Sequence, residues 1–334
     1  MPHKIEYENE VLLAVKDCAY SINSGSKVVA NMALLIEATS SLPLTHLDAW
    51  ERFIRWEFQK ELDNSTPAKW KVWVKPTPFL TWIDLCSGDG YRREKTIQTL
   101  SGAAPNSFFF ALAIRRLNDW VPQVREAARE KLLKIALESD QEQVAEVLCA
   151  TFPHWSSWRR MEEDDKKILL DIASIESVAD SLKSRIITST AGPMTSILSQ
   201  VGRIEVLDGF LEEIAMSAIQ PSVRAKAYRS LMENRMVWHD GRKWVWTDIR
   251  YCKGRQQPII CDRNLSIETN FIDNLKSAVV DKSSVVRRVA GELLIKELEL
   301  VGEESGELAE KLATDSSPPV SERGKFALKQ LKLK

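Results

Sequence analysis

The sequence predicts an all-α protein, a right-handed α-solenoid of helix pairs that carries one small β-hairpin insertion. Three observations predict it. Four segments repeat one helical spacing of apolar residues, only 13 glycines and 13 prolines interrupt 334 residues, and a single stretch, 236–264, has the character of strand rather than helix.

The four segments are DWVPQVREAAREKL (119–132), AIQPSVRAKAYRSL (218–231), DKSSVVRRVAGELL (281–294) and the stretch from Asp315 to Leu328, which ends in PPVSERGKFAL. In each, a valine (Val124, Val223, Val286, Val320) is followed four positions later by a small residue (Ala128, Ala227, Ala290, Gly324). Four further on comes Leu132, Leu231, Leu294 or Leu328. Positions i, i+4 and i+8 form one helical face, and a small central residue lets a neighbouring helix come close. Asp119, Asp281 and Asp315 stand five positions before the valine, and Pro122, Pro221 and Pro318 two before it. Aspartate satisfies orphan amides at a helix start, and proline is tolerated in the first turn because its missing N–H had no partner there.

This D-x-x-P-x-V-R-x-x-A pattern resembles HEAT repeats, in particular the short bacterial type of phycobilin-lyase-like proteins. The resemblance implies helix pairs stacked into a solenoid. Arg125, Arg224 and Arg287 follow the valine, whereas Ser321 takes that place in the last copy. The step from Val286 to Val320 is one repeat unit. The step from Val124 to Val223 is close to three such units, which leaves room for two degenerate repeats between them.

Taken in order, residues 5–22, 26–40 and 46–63 read as helices, and Trp50, Phe53 and Trp56 are expected to share a buried stripe of the third. Residues 65–82, with Trp70, Trp73 and Trp82, form a proline-punctuated connector expected to cover the N-terminal end of the stack. The turn Asp84-Leu-Cys-Ser-Gly-Asp-Gly90 looks like the first motif of S-adenosylmethionine-dependent methyltransferases. Such a cofactor loop requires a following strand and then alternating strands and helices. Instead, one repeat unit back from Arg125, Glu126 and Leu132 stand Arg93, Glu94 and Leu100, so YRREKTIQTL reads as an earlier repeat helix with Asp89 near its cap. Residues 136–217 hold the degenerate repeats, and 302–313 the first helix of the final pair. The divisions read from the sequence are a helical cap at 1–82, repeats at 83–235, the insertion at 236–264 and further repeats at 265–334.

The step from Val223 to Val286 exceeds one repeat unit by almost the length of another, so a segment has been inserted. The excess falls on MVWHDGRKWVWTDIRYCKGRQQPIICDRN. Asp240-Gly241 suits a two-residue type I′ turn between aromatic and β-branched flanks, which predicts a hairpin centred there, with IRYCKGRQQPII as a second, looser pair. Insertions in repeat proteins gather on one face, often the binding face. Ten basic and four acidic residues between 221 and 263 give +6 in a chain whose net charge is −1. Trp238, Arg242, Lys243, Trp244, Trp246, Arg250, Tyr251, Lys253 and Arg255 are therefore the candidate partner-binding residues. Such side chains make protein-interface hot spots, and they also stack on bases and neutralise phosphates. A hairpin that merely packs its tryptophans on neighbouring helices is the remaining reading.

Chemistry is sparsely represented. With 46 Lys+Arg against 47 Asp+Glu, no global field draws the chain to nucleic acid or an anionic membrane. Five scattered cysteines suit reduced thiols, no apolar run approaches the roughly 20 residues of a membrane span, and the charged N-terminus lacks an apolar signal region. A cytoplasmic protein is expected. Four histidines, with no C-x-x-C pair, P-loop, nucleophile elbow or H-E-x-x-H helix, predict no catalytic residues, no metal and no cofactor. The expected function is a non-catalytic binding or scaffold protein that engages a protein partner through the concave solenoid surface and the 236–264 insertion. Family resemblance extends this to immunity or antitoxin-like factors. The alternative is nucleic-acid binding, at its extreme the alkyl-base DNA glycosylases among HEAT-like proteins. It requires Arg242, Lys243, Arg250, Lys253 and Arg255 to share a face with the repeat arginines.

Overall fold

A computed structural model describes residues 2–24, 27–64 and 80–332. The connector residues Trp70 and Trp73 lie outside the described residues. Among the described residues the chain is predominantly helical, with one two-stranded antiparallel sheet. Contacts divide it into two compact units, residues up to 151 with 158–178, and 152–157 with 179 onward.

The first unit opens with α1 (Pro2–Ser24), α2 (Val28–Ser40) and α3 (Leu47–Asn64), which pack together through α1. The buried face of α3 is Trp50, Ile54 and Phe58, at i, i+4 and i+8. Trp56 does not share the buried stripe expected of it. It is 62% exposed, with the Lys60 ammonium 4.8 Å from its ring centroid. A step of three positions falls short of a full helical turn, so Trp50, Phe53 and Trp56 drift progressively off one face.

A 3-10 turn at Trp82–Cys86 follows, closed by a reciprocal box between Thr81 and Asp84. Asp89 then accepts the Tyr91 N–H and starts α4 (Gly90–Thr99). No strand follows among the described residues until Arg235; instead come α5 (Ser107–Arg115), α6 (Pro122–Glu138), α7 (Gln141–Thr151) and α8 (Glu163–Ala173). The glycine-rich turn is thus the entry to a helix, as the repeat spacing predicts. Within this unit α4, α6 and α8 pack in series, while α5 packs on α7.

The second unit takes in most of α9 (Glu176–Thr188), then α10 (Met194–Val201), α11 (Leu211–Ser217) and α12 (Pro221–Glu233). After the strands come α13 (Phe271–Val279), α14 (Ser284–Lys296), α15 (Leu298–Val301), α16 (Ser305–Ala313) and α17 (Pro318–Lys332). Helices α11, α13 and α16 pair with α12, α14 and α17, and the latter three pack in series. The valines and small residues of the repeated segments are all buried, whereas Leu328 near the chain end is half-buried. A Cβ on Gly324 would come within 2.1 Å of the Ala313 backbone nitrogen, so α16 lies where only glycine admits it.

The repeat arginines bridge successive helix pairs inside each unit. Arg93 grips both carboxylate oxygens of Asp119 at 2.8 and 2.7 Å, Arg224 those of Asp281 at 2.9 Å, and Arg287 those of Asp315 at 2.5 and 3.0 Å. Each aspartate also accepts the N–H two residues on, from Val121, Ser283 and Ser317. One carboxylate therefore shapes the entry to its own helix and receives the guanidinium of the preceding pair. The same arginines donate back to carbonyls before their own helix, Arg93 to Ser87, Arg224 to Ala218 and Arg287 to Asp281. Arg125 donates in the same way to the Asp119 carbonyl and reaches Glu162 at 3.4 Å.

Candidate functional site: a basic aromatic hairpin

The insertion is one long hairpin, β1 (Arg235–Asp248) paired with β2 (Lys253–Asn264). It leaves α12 through Asn234, which takes the left-handed conformation at the helix end (φ 49°). The expected turn at Asp240-Gly241 is not a turn. Both residues lie within β1, where the register gains one residue between His239 and Arg242, and Gly241 has φ 80°. The chain reverses instead through a 3-10 turn at Ile249–Tyr251 and left-handed Cys252 (φ 51°). IRYCKGRQQPII supplies that reversal and the return strand of the same pair.

Partners in the base hold the bulge. Gln200 Nε2 and Arg203 Nη2 donate to the His239 carbonyl at 3.1 and 3.3 Å, and Arg203 also reaches Asp240 at 2.8 Å. The Arg203 guanidinium lies 4.8 Å from the Trp155 ring and 5.6 Å from Trp238. Met236 is fully buried, and a Cβ on Gly202 would overlap it. Lys226 donates to the Val237 carbonyl at 2.6 Å, and burial pushes its ammonium down to about 8. On the return strand Arg263 makes a bidentate pair with Asp208, a carboxylate that is 1% exposed and also accepts the Ser266 N–H. The base is therefore fixed by side chains of its own unit, and Trp238 belongs to it.

Beyond the bulge the hairpin is exposed. Register partners share a face, so Arg242, Trp244 and Trp246 lie with Pro258, Gln256 and Gly254 on one side, and Ile260 continues that side. Lys243 and Arg255 lie on the other. Trp244 and Trp246 meet edge to face, centroids 5.5 Å apart, and are 50% and 52% exposed. A Cβ on Gly254 would fall 2.5 Å from the Trp244 ring, so the glycine lets the indole cross the strand. Arg250 and Tyr251 occupy the turn, with Arg250 85% exposed, and Lys253 opens the return strand with its ammonium 5.7 Å from the Tyr251 ring. From 242 to 260 the charges are five basic against Asp248 alone, a local +4.

The structure thus brings Trp244, Trp246 and Arg242 together, gathers Arg250, Tyr251 and Lys253 at the tip, and separates Lys243 and Arg255 onto the opposite face. It does not bring the repeat arginines to them. Arg224 is 1% exposed, and both it and Arg287 are committed to aspartates. Sequence reasoning missed Arg203, Asp208 and Arg263, whose pairings join positions far apart in the chain. Among the described residues no group of three or more His, Cys, Asp or Glu side chains is placed to hold a metal, and no helix is long and apolar enough to cross a membrane. No family model and no curated protein matches this chain.

Proposed function

We propose that this chain is a non-catalytic binding protein, built from HEAT-like helix pairs arranged as a right-handed α-solenoid, that takes a protein partner on the hairpin face bearing Trp244 and Trp246. The observation that carries this reading is the exposed Trp244–Trp246 pair on an arm whose base is pinned by Arg263–Asp208. Large aromatic side chains left half in water contribute little to their own fold, yet rigid aromatic anchors flanked by arginine dominate the energetics of interfaces. A pinned base lowers the entropy lost on docking. The buried valine lines and the Arg–Asp bridges support the HEAT-like reading. An immunity or antitoxin-like role is one instance of such binding.

The test is affinity purification of tagged wild-type and Trp244→Ala/Trp246→Ala chains from native cells, with and without nuclease. A stoichiometric protein that survives nuclease and is lost from the variant supports the proposal. A partner retained by the variant removes the hairpin from it, and material lost on nuclease treatment favours the nucleic-acid alternative.

A further inference from the structure

We infer that the first unit carries a second, separate site, an arginine-lined cleft that binds the phosphate ester of a small aromatic molecule, of the nucleotide class. The cleft, about 370 Å3, lies among α3, the end of α5 and the loop entering α6, with Arg160 at its edge. Its floor is an internally neutralised lattice. Glu51, 3% exposed, is contacted by Arg55 at 2.6 Å, Arg115 at 2.9 Å and Arg116 at 2.7 Å. Arg116 also reaches Asp119 at 3.1 Å, and Arg115 pairs with Asp48.

The rim is not neutralised. Among the described residues no carboxylate pairs with the Arg52 or Arg160 guanidinium, and Arg52 Nε donates to the Asp48 carbonyl at 3.2 Å. Five arginines against Asp48, Glu51 and Asp119 leave +2 in a concave place on a chain of net charge −1. Concave walls focus such a field on a small anion. Burial and the Arg116 charge push the Arg115 guanidinium down to about 10, a cost that an anion in the cleft would relieve.

Two further features select the ligand class. Planar guanidinium forks match the oxygens of a phosphate, which they bind in bidentate fashion. Trp120, 67% exposed, lines the same cleft and offers a flat indole for stacking. A purely structural ion-pair lattice needs neither two rim arginines that lack a carboxylate partner among the described residues nor an exposed tryptophan. The volume falls within the range of small-molecule sites, roughly 300–1,000 Å3.

The test is calorimetry on the full chain with AMP, GMP and UMP, inorganic phosphate, adenosine, and an oligodeoxythymidylate lacking terminal phosphate. We expect one equivalent of at least one mononucleotide to bind, inorganic phosphate to bind more weakly, and adenosine to give no heat. Arg52→Ala/Arg160→Ala, outside the floor lattice, should weaken binding roughly tenfold with an unchanged melting temperature. Trp120→Ala should weaken mononucleotide but not inorganic phosphate. No heat from any phosphate at millimolar concentration, or affinity unchanged in the rim variant, would overturn the inference. Oligonucleotide binding tighter than mononucleotide, and lost in the rim variant, would overturn the small-molecule assignment in favour of a strand.

Discussion

Arg224 is 1% exposed and charged, and its guanidinium donates to both oxygens of Asp281 and to two carbonyls. Removing one member of such a pair strands the other without water, which costs about 3 kcal/mol, whereas an exposed pair is worth below about 1. Arg224→Ala is therefore expected to lower the unfolding free energy by about 3 kcal/mol in urea titration, and Arg224→Met/Asp281→Leu to recover part of the loss, since the Ser283 N–H still loses its acceptor. Acid should act on the same bridges. Burial alone would raise the Asp281 carboxyl, but the Arg224 hydrogen bonds, the Ser283 N–H and the Arg224 charge outweigh it and hold the group below its ordinary value. Arg287 does the same for Asp315. Carboxyls depressed in the folded state contribute stability above the unfolded value, about 3.9, and lose it as pH falls through the folded value, so the urea midpoint should drop below about pH 4 and drop less in Asp315→Asn. Lys226 gives the same direction of pH dependence in a higher window. Pushed down to about 8 by burial, it binds fewer protons folded than unfolded from there to about 10.4, so stability should rise with pH across that window, and Lys226→Met should abolish its share of the rise.

At the scale of elements, the close approach of α16 to α17 at Gly324 gives the sharpest prediction. Gly324→Ala would put a methyl 2.1 Å from the Ala313 nitrogen and must part α16 from α17, at a cost of about 1–3 kcal/mol in urea unfolding. Gly306→Ala meets no atom within 4 Å and should instead gain about 0.5 kcal/mol of helix propensity. Equal effects of the two would contradict the packing described. Elements carried by periodicity were legible in the sequence. The Val, Ala and Leu line located α6, α12, α14 and α17, and Pro122, Pro221 and Pro318 are the first residues of α6, α12 and α17. The hairpin was legible as an interruption of the repeat, but its turn was not. Asp240-Gly241 has the composition of a turn, yet Gln200 and Arg203, distant in sequence, hold it as a bulge within a strand. The true reversal rests on Cys252, a residue type with no turn preference. Trp56 was misplaced for a simpler reason, since a three-residue spacing followed over two turns leaves the buried face.

For the whole molecule, bulk charge was uninformative. A net −1 conceals +4 on the distal hairpin and +2 in the arginine cleft. The hairpin residues were legible because they are contiguous, whereas the cleft joins positions 48–55, 115–120 and 160, which only the fold brings together. The repeat arginines show the converse. In the sequence they count as available charge, and in the fold Arg93, Arg224 and Arg287 are spent on aspartates of the next helix pair. The claim that the hairpin is a protein-docking arm is tested most directly by placing a photo-crosslinking amino acid at Trp246, and as a control at Leu137 on α6, 57% exposed, and irradiating native cells. A discrete protein adduct from position 246, insensitive to nuclease and absent from position 137, is the predicted result. No adduct, the same adducts from both positions, or adducts to nucleic acid alone would contradict it.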